Sequence, residues 1–257
     1  CNRQIKWGLL LEFALQRGVN WLASGHYARI TRNGRGVVEL RKAVAAGKDQ
    51  SYVLSGLDQS SLSHVRLPLG NLTKEQTREI ARRYNFGFSE IKESQDLCFI
   101  NSMGQEEFLL NHAPQLFIPG EIRTADGRKV GEHNGLVNYT IGQRKGLGAG
   151  NQEPIYVLQK DIQNNLLIVG TRSELGVKQV SVTDANWISG EEPHLPDECE
   201  VKSRYRSNPK MATMYRKNDN VYDIIFAEPV RDPTPGQFAV FYKGDQVIGS
   251  ALLSDTI

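Results

Sequence analysis

QIKWGLLLEFALQRGVNWLASGH, residues 4–26, carries the pattern that decides the fold. Ile5, Leu9, Leu10 and Phe13 recur at helical spacing, and Gly18 suits the left-handed position that ends a helix. This helix over 4–17 feeds a short apolar strand at 19–23, which stops at Ser24-Gly25-His26. A helix, a strand and a glycine turn bearing a polar residue is how an α/β sheet presents ligand-binding groups at the carboxyl ends of its strands. Working outward, 37–44 reads as another strand and 49–57 as a short helix. Thr73 with Gln76 three residues on makes a capping box that opens a helix through about Tyr84. Residues 86–100 read as a loop, polar around Ser94-Gln95-Asp96 and apolar around Leu97-Cys98-Phe99-Ile100, and 104–111 as one more helix.

After Pro119-Gly120 the grammar changes. Short strand patterns alternate with turn signals at Asp126-Gly127, the glycine-rich 142–150 and Asn164-Asn165, with strands at 156–159 and 166–169. The pattern repeats at 199–205, 211–215, 221–226, 238–242 and 246–252. Strands at such intervals predict a small sheet followed by a β-barrel or sandwich. The expected fold class is therefore α/β plus β: an α/β domain over 1–112, a β-rich central domain over 113–176 and a β-barrel over 177–257.

A length of 257 residues accommodates one large domain or two to three smaller ones. Apolar residues at 39% and charged ones at 23% place the chain among ordinary globular proteins and exclude a disordered or fibrous class. No stretch approaches the roughly 20 apolar residues of a membrane span, and Arg3, Lys6, Glu12 and Arg17 interrupt any secretory-signal pattern. Three cysteines cannot build a disulfide framework, which fits a reducing cytoplasm. A first residue Cys1 that already lies in a helical pattern reads as part of a longer protein. The net charge of +2 hides an asymmetry: residues 1–48 hold nine basic and two acidic residues, and the other 209 carry −5. Such a segment suits contact with a polyanion, and a solvated basic face accounts for the same charges.

Three features have chemical content. Cys1 stands at a helix start near Arg3 and Lys6, where the dipole and the cations favour a thiolate, and Cys98 lies in a polar-to-apolar loop. The plain alternative for both, and more so for Cys199 in a strand pattern, is a buried inert thiol. No two cysteines have zinc-ligand spacing and the five histidines are scattered, so no metal site is expected. Gly25-His26-Tyr27-Ala28-Arg29 and Gly47-Lys48-Asp49-Gln50-Ser51 each combine a glycine, a cation and hydrogen-bonding groups, a mixture suited to nucleotide or phosphate recognition. In Lys202-Ser203-Arg204-Tyr205-Arg206, strand alternation would project Lys202, Arg204 and Arg206 from one face, as an RNA-contact strip does. A solvated barrel face is the alternative. Gly142-Gln143-Arg144-Lys145-Gly146-Leu147-Gly148 adds a second basic, glycine-flanked loop.

Taken together, CNRQIKWG (1–8), ASGHYARI (23–30), KDQSYVLS (48–55), PLGNLTKEQTREIA (68–81), ESQDLCFI (93–100), GEHNGLVNYTIGQRKGLG (131–148), RYR (204–206) and PGQFAVFY (235–242) resemble the tRNA-specific 2-thiouridylase family along nearly the whole chain. The resemblance implies the C-terminal part of an adenine-nucleotide α-hydrolase-like (PP-loop ATPase) catalytic domain over 1–112, a central β-rich tRNA-binding domain over 113–176 and a C-terminal β-barrel over 177–257. It implies that ATP, with Mg2+ whose ligands are not in this chain, adenylates C2 of a wobble uridine. Sulfur from a persulfide then gives 2-thiouridine, AMP and pyrophosphate. By position, Cys1 matches the nucleophile and Cys98 the persulfide carrier, the two forming a transient disulfide. Gly25 matches an ATP contact, and His26, Lys48, Asp49, Gln50, Arg204, Tyr205 and Gln237 match tRNA contacts.

Implied partners are tRNAs of the Lys, Glu and Gln acceptors and a persulfide donor, a cysteine desulfurase or sulfur relay protein, with the enzyme a cytoplasmic monomer. Two departures stand out. The Ser-Gly-Gly-x-Asp-Ser loop of the family is missing, so the expectation is that these residues alone do not adenylate tRNA. Asn101-Ser102-Met103-Gly104 also replaces the more usual glycine-glutamate-arginine sequence after Cys98. The competing classes are a non-catalytic tRNA-binding fragment, and a thiol-disulfide oxidoreductase that would lack a C-x-x-C motif.

Overall fold

The computed structural model describes residues 1–86, 100, 104–147, 154–231 and 233–256. The chain divides into two units, one made of Cys1–Ile91, Lys178–Glu228 and Thr234–Ile257, the other of Lys92–Val177 and Pro229–Pro233.

The first unit begins with a π-helical stretch, Asn2–Leu9, that runs into α1 (Leu10–Gln16). Its first turn is wide because the Cys1 carbonyl accepts from both Ile5 N (2.9 Å) and Lys6 N (3.1 Å). The segment is helical, as its periodicity predicts, but the stripe that gives the periodicity faces out: Ile5, Leu9, Leu10 and Phe13 are exposed, while Trp7 and Leu11, one turn apart, are buried. Trp7 enters the core with Leu40, Leu54, Leu62, Val240 and Tyr242. Burying the indole instead of the stripe removes the largest apolar side chain of the segment from water.

β1 (Leu22–Ala23) is shorter than the expected strand and pairs in parallel with β4 (Val65–Arg66), Leu22 opposite Val65. Between them come β2 (Ala28–Arg32), β3 (Val38–Lys42), α2 (Ser51–Leu54) and α3 (Gln59–Ser63). The Thr73–Gln76 capping box is present and starts α4 (Lys74–Arg83).

In the second unit, α5 (Gln105–His112) precedes a four-stranded sheet of β5 (Gly120–Thr124), β6 (Lys129–His133), β7 (Tyr156–Asp161) and β8 (Leu166–Gly170) in the order β6-β5-β8-β7. Ile122, Val157, Leu167 and Val169 form its core. His133 is buried against it: its Nδ1 accepts from Gly135 N (3.1 Å), which leaves Nε2 to donate to the Asn165 carbonyl (3.2 Å). The histidine of the GEH motif is thus a packed, hydrogen-bonded core residue.

The remaining strands are β9 (Gly176–Trp187), β10 (Asp197–Lys202), β11 (Lys210–Asn218), β12 (Val221–Arg231), β13 (Phe238–Lys243) and β14 (Gln246–Thr256). Strands β13-β10-β11-β12-β9-β14 follow one another, and β14 pairs again with β13, which closes a six-stranded barrel. Closure removes the unpaired edges of an open sheet. The β2–β3 hairpin extends this sheet by pairing Arg41 and Leu40 with Gln246 and Val247. Asp245 fastens it, taking Arg29 (2.6 Å) and Arg41 (2.7 Å). Arg41 also pairs with Glu39 and Lys42 with Glu200, so three of the nine basic residues of the N-terminal segment neutralise the protein's own carboxylates.

Candidate functional site

Helix α2 is the hub of the site. The KDQ segment leads into it through a 3-10 turn, Ala46–Lys48. Asp49 is held by the backbone it organises: Oδ1 accepts from Ala43 N (2.9 Å) and Ser51 N (3.3 Å), and Oδ2 from the Ser51 hydroxyl (2.8 Å). Gln50 locks onto the segment after the glycine turn, its N–H donating to Tyr27 O (2.7 Å) and its Oε1 accepting from Tyr27 N (2.9 Å). His26, one residue earlier, is thereby placed beside the KDQ segment.

The His26 ring lies 6.4 Å from that of Trp7, and Nδ1 is 2.8 Å from the Ser24 hydroxyl. Burial, with the Lys6 charge adding to it, pushes its pKa down to about 4. At neutral pH the imidazole is uncharged and offers one donor and one acceptor.

On the other side of α2, Tyr52 donates its hydroxyl to the Phe238 carbonyl (2.8 Å), next to Gln237. Its ring lies 5.9 Å from that of Tyr205, and the Lys202 ammonium sits 5.9 Å and 5.5 Å from the two ring centroids. Burial raises the Tyr52 phenol to about 12, against the opposing charge of Arg204. Burial also holds the Lys202 ammonium below its ordinary value, with Asp49 opposing and Lys42 adding to the effect.

The strand alternation expected for Lys202, Arg204 and Arg206 does not hold, because β10 ends at Lys202 and 203–207 form a bend and turn. Ser207 makes this turn: its Oγ accepts from Arg204 N (3.2 Å) and donates to Arg204 O (2.9 Å). Arg204 is thereby aimed at Thr234 Oγ1 (2.6 Å) in the loop before β13, and Tyr205 at Tyr52.

The first helix joins the same cluster. Asn2 donates Nδ2 to the Val53 carbonyl of α2 (3.2 Å). At Gly56 a Cβ would stand 3.7 Å from Arg3 Cδ and 3.9 Å from the Phe238 ring, so both side chains border that backbone. Cys1, exposed, is therefore tethered through its neighbours to α2, which carries Tyr52 and directly follows Lys48, Asp49 and Gln50. Cations, flat rings, a neutral imidazole and an exposed thiol around one helix suit an unstacked nucleotide and its phosphate.

Family models match the chain in three consecutive segments: a tRNA methyl transferase HUP domain over 1–102, a tRNA methyl transferase PRC-barrel domain over 106–171 and an aminomethyltransferase beta-barrel domain over 177–253. Among curated relatives, the tRNA-specific 2-thiouridylase MnmA of Synechococcus sp. (strain JA-3-3Ab) is 43% identical over 256 residues, 98% of this chain and 69% of the relative. The protein of the same name from Halothermothrix orenii is 38% identical over 255 residues, 99% of this chain and 71% of the relative. The one from Halalkalibacterium halodurans is 39% identical over 261 residues, 100% of this chain and 70% of the relative. The chain belongs to the tRNA-specific 2-thiouridylase family.

Within this 2-thiouridylase chain, Gly25 is exposed just past the carboxyl end of β1, and a Cβ there would meet Leu69 Cδ1 at 3.6 Å. Its backbone is thus open to a planar ligand edge at the expected end of a parallel strand. Cys98 lies outside the described residues. Cys199 is 2% exposed and burial pushes its thiol up to about 12, which makes it an inert core residue. Sequence reasoning missed Tyr52 and Asn2. Both stand beside motif residues, Tyr52 two positions after Gln50 and Asn2 next to Cys1, and only the fold shows what they touch.

Proposed function

We propose that this chain carries the sulfur-transfer and tRNA-holding machinery of an ATP-dependent enzyme that thiolates C2 of a wobble uridine. The observation that supports this most is the convergence of His26, Lys48–Gln50, Arg204, Tyr205 and Gln237, which are scattered over 212 positions of sequence, around α2 beside the Cys1 helix. Tyr205 offers a face to a base, Lys202 and Arg204 offer charge to phosphates, and neutral His26 reads a polar group without adding charge.

ATP, when bound, supplies the adenylyl group that turns the C2 oxygen into a leaving group. Gly25 would border it, and the pyrophosphate loop is not among these 257 residues. Mg2+ would accompany the phosphates of ATP. Cys98 receives a sulfur atom from a donor protein, a cysteine desulfurase or sulfur relay protein, and holds it as Cys98–S–SH.

The Cys1 thiolate attacks the Cys98 sulfur, the S–S bond of the persulfide breaks, and hydrosulfide leaves to attack C2. Alternatively, the terminal sulfur attacks C2 first and Cys1 then resolves the Cys98 linkage. Either route leaves a Cys1–Cys98 disulfide that an external thiol must reduce before the next turnover. The substrates are tRNAs of the Lys, Glu and Gln acceptors, and the enzyme acts as a cytoplasmic monomer. No described helix is long and apolar enough to cross a membrane.

The test is transfer of labelled sulfur from cysteine to tRNA by the protein expressed from its complete gene, with a desulfurase, ATP and a reductant. The expected result is label in 2-thiouridine with wild type and none with Cys1→Ser or Cys98→Ser. Full labelling by Cys98→Ser would overturn the persulfide assignment, and tRNA binding without any labelling would favour a non-catalytic RNA-binding module.

A further inference from the structure

Tyr52 is 8% exposed, too little to offer a face to a bound RNA, yet it touches both loops that carry the expected barrel contacts. It stands on α2, and Ser55, three residues on, shares its helix face. The Ser55 carbonyl accepts from Asn186 Nδ2 (2.8 Å) and from the Ser250 hydroxyl (3.1 Å). Asn186 also donates to the Leu57 carbonyl (3.0 Å), and the Ser51 hydroxyl lies 3.3 Å from that of Tyr242. The helix that carries Tyr52 is thus pinned to the barrel strands at both ends.

The first loop is the turn at 203–207, where the exposed Tyr205 ring rests 5.9 Å from that of Tyr52 at a tilt of 56°. A tilted aromatic pair at this separation attracts beyond the area it buries, and the Lys202 ammonium, set against both rings, adds a cation–π contact. The second loop is the turn at 234–237, closed by Gln237 N donating to Thr234 O (3.1 Å), with Pro235 and Gly236 at its centre. Gly236 has φ +81°, the left-handed value that the third position of a Pro-Gly type II turn requires. The Tyr52 hydroxyl holds the residue after this turn through the Phe238 carbonyl (2.8 Å), and burial raises the phenol to about 12, so it stays a donor. Arg204 ties the two loops to each other through Thr234 Oγ1 (2.6 Å).

We propose that Tyr52 is a positioning residue for tRNA binding: from its buried place it sets the Tyr205 ring and the backbone at Gln237 in the arrangement that the nucleotide meets. The inference deepens the reading that Arg204, Tyr205 and Gln237 contact tRNA, and it rests on that reading. An aromatic side chain free on an exposed loop gives up rotamer freedom when a base stacks on it, which weakens association by about two- to tenfold. A ring already held by a neighbour has no such freedom to lose. The Cys1 helix reaches α2 through the Val53 carbonyl, a backbone group that a change of side chain at 52 leaves in place, so the chemical step is spared.

The test is tRNA binding and steady-state thiolation by the full protein, for Tyr52→Phe and Tyr52→Leu alone and combined with Tyr205→Ala or Gln237→Ala, the fold of each variant checked by circular dichroism. Tyr52→Leu is expected to raise Kd and KM for tRNA about three- to tenfold, with kcat within about twofold of wild type. Tyr52→Phe keeps the ring and is expected to lose about two- to threefold through the freed Phe238 carbonyl, a loss that disappears when it is combined with Gln237→Ala. Combined with Tyr205→Ala, Tyr52→Leu is expected to cost no more than Tyr52→Phe does alone, because the ring it would order is gone. Equal losses from Tyr52→Leu with and without Tyr205→Ala would overturn the proposal. So would a fall in kcat with KM unchanged, or a folded Tyr52→Leu that binds tRNA as wild type does. If Tyr52→Leu does not fold, the pair Tyr52→Phe and Gln237→Ala decides, and additive losses overturn the proposal. Wild-type binding by both Tyr205→Ala and Gln237→Ala is a different result, which would remove the functional reading along with this one.

Discussion

His26 sets a measurable pH dependence on the first unit. The folded ring titrates near 4 and an unfolded histidine near 6.5, so between these values the unfolded chain binds more protons than the folded one. Stability contributed by the neutral ring is complete above pH 6.5, falls as pH drops through the window, and levels off below about 4. At pH 5 the full shift corresponds to a loss of about 2 kcal/mol, and the solvent contact the ring retains reduces this to about 1 kcal/mol. The perturbation is His26→Gln, which keeps an uncharged hydrogen-bonding side chain and does not titrate.

The assay is urea unfolding followed by tryptophan fluorescence at pH 7.5 and pH 5.0. Trp7, Trp21 and Trp187 all lie in the first unit, so the signal reports on that unit alone. The stability difference between wild type and variant should move by about 1 kcal/mol in favour of the variant at the lower pH, or about 2 to 4 °C in Tm. Contributions from other titrating groups cancel in this double difference. The same stability difference at both pH values would refute the argument that burial and Lys6 hold the ring neutral.

In the second unit, Gly120→Ala would drive a methyl into the Asn165 carbonyl and to 2.6 Å from His133 Nε2. The expected cost is about 1 to 3 kcal/mol, read as faster amide exchange in β5 and β8, with unchanged exchange as the contrary result. In the native protein at pH 8, N-ethylmaleimide should modify exposed Cys1 and leave Cys199 untouched until denaturant is added, since the latter is buried and its thiol is held up to about 12. Peptide mass mapping decides this, and native labelling of Cys199 would contradict its inert role. Tyr205→Ala should weaken tRNA binding by about 1 to 3 kcal/mol, the value of one base stack. Tyr205→Phe should bind as wild type, because the ring and not the hydroxyl meets the Tyr52–Lys202 pair.

Local signals were legible in the sequence wherever the cause is local. The Thr73–Gln76 capping box and five of the six barrel strands follow from spacing and turn chemistry and stand in the structure, whereas β9 (Gly176–Trp187) is not among the expected strands. The first helix was legible as a helix and not in its orientation: periodicity nominates Ile5, Leu9 and Phe13, while packing selects Trp7, whose partners Leu40 and Tyr242 are distant in sequence. The turn at 203–207 was hidden because side-chain hydrogen bonds from Ser207 make it, with no glycine or proline inside it to announce it. Pairing of the β2–β3 hairpin with β14 has no local signature either, since it depends on Asp245 meeting Arg29 and Arg41 across some two hundred residues. The same is true of the candidate site. Its residue types could be named one motif at a time, but their assembly around α2 depends on the Asn2–Val53, Gln50–Tyr27 and Tyr52–Phe238 hydrogen bonds, which spacing does not encode.

The most direct test of the central claim is nucleoside mass spectrometry of bulk tRNA from cells that lack the complete gene, complemented with wild type, Cys1→Ser or Cys98→Ser. The account predicts that 2-thiouridine derivatives vanish in the deletion, return with wild type and stay absent with either serine variant. Their persistence in the deletion, or full restoration by Cys98→Ser, would contradict it.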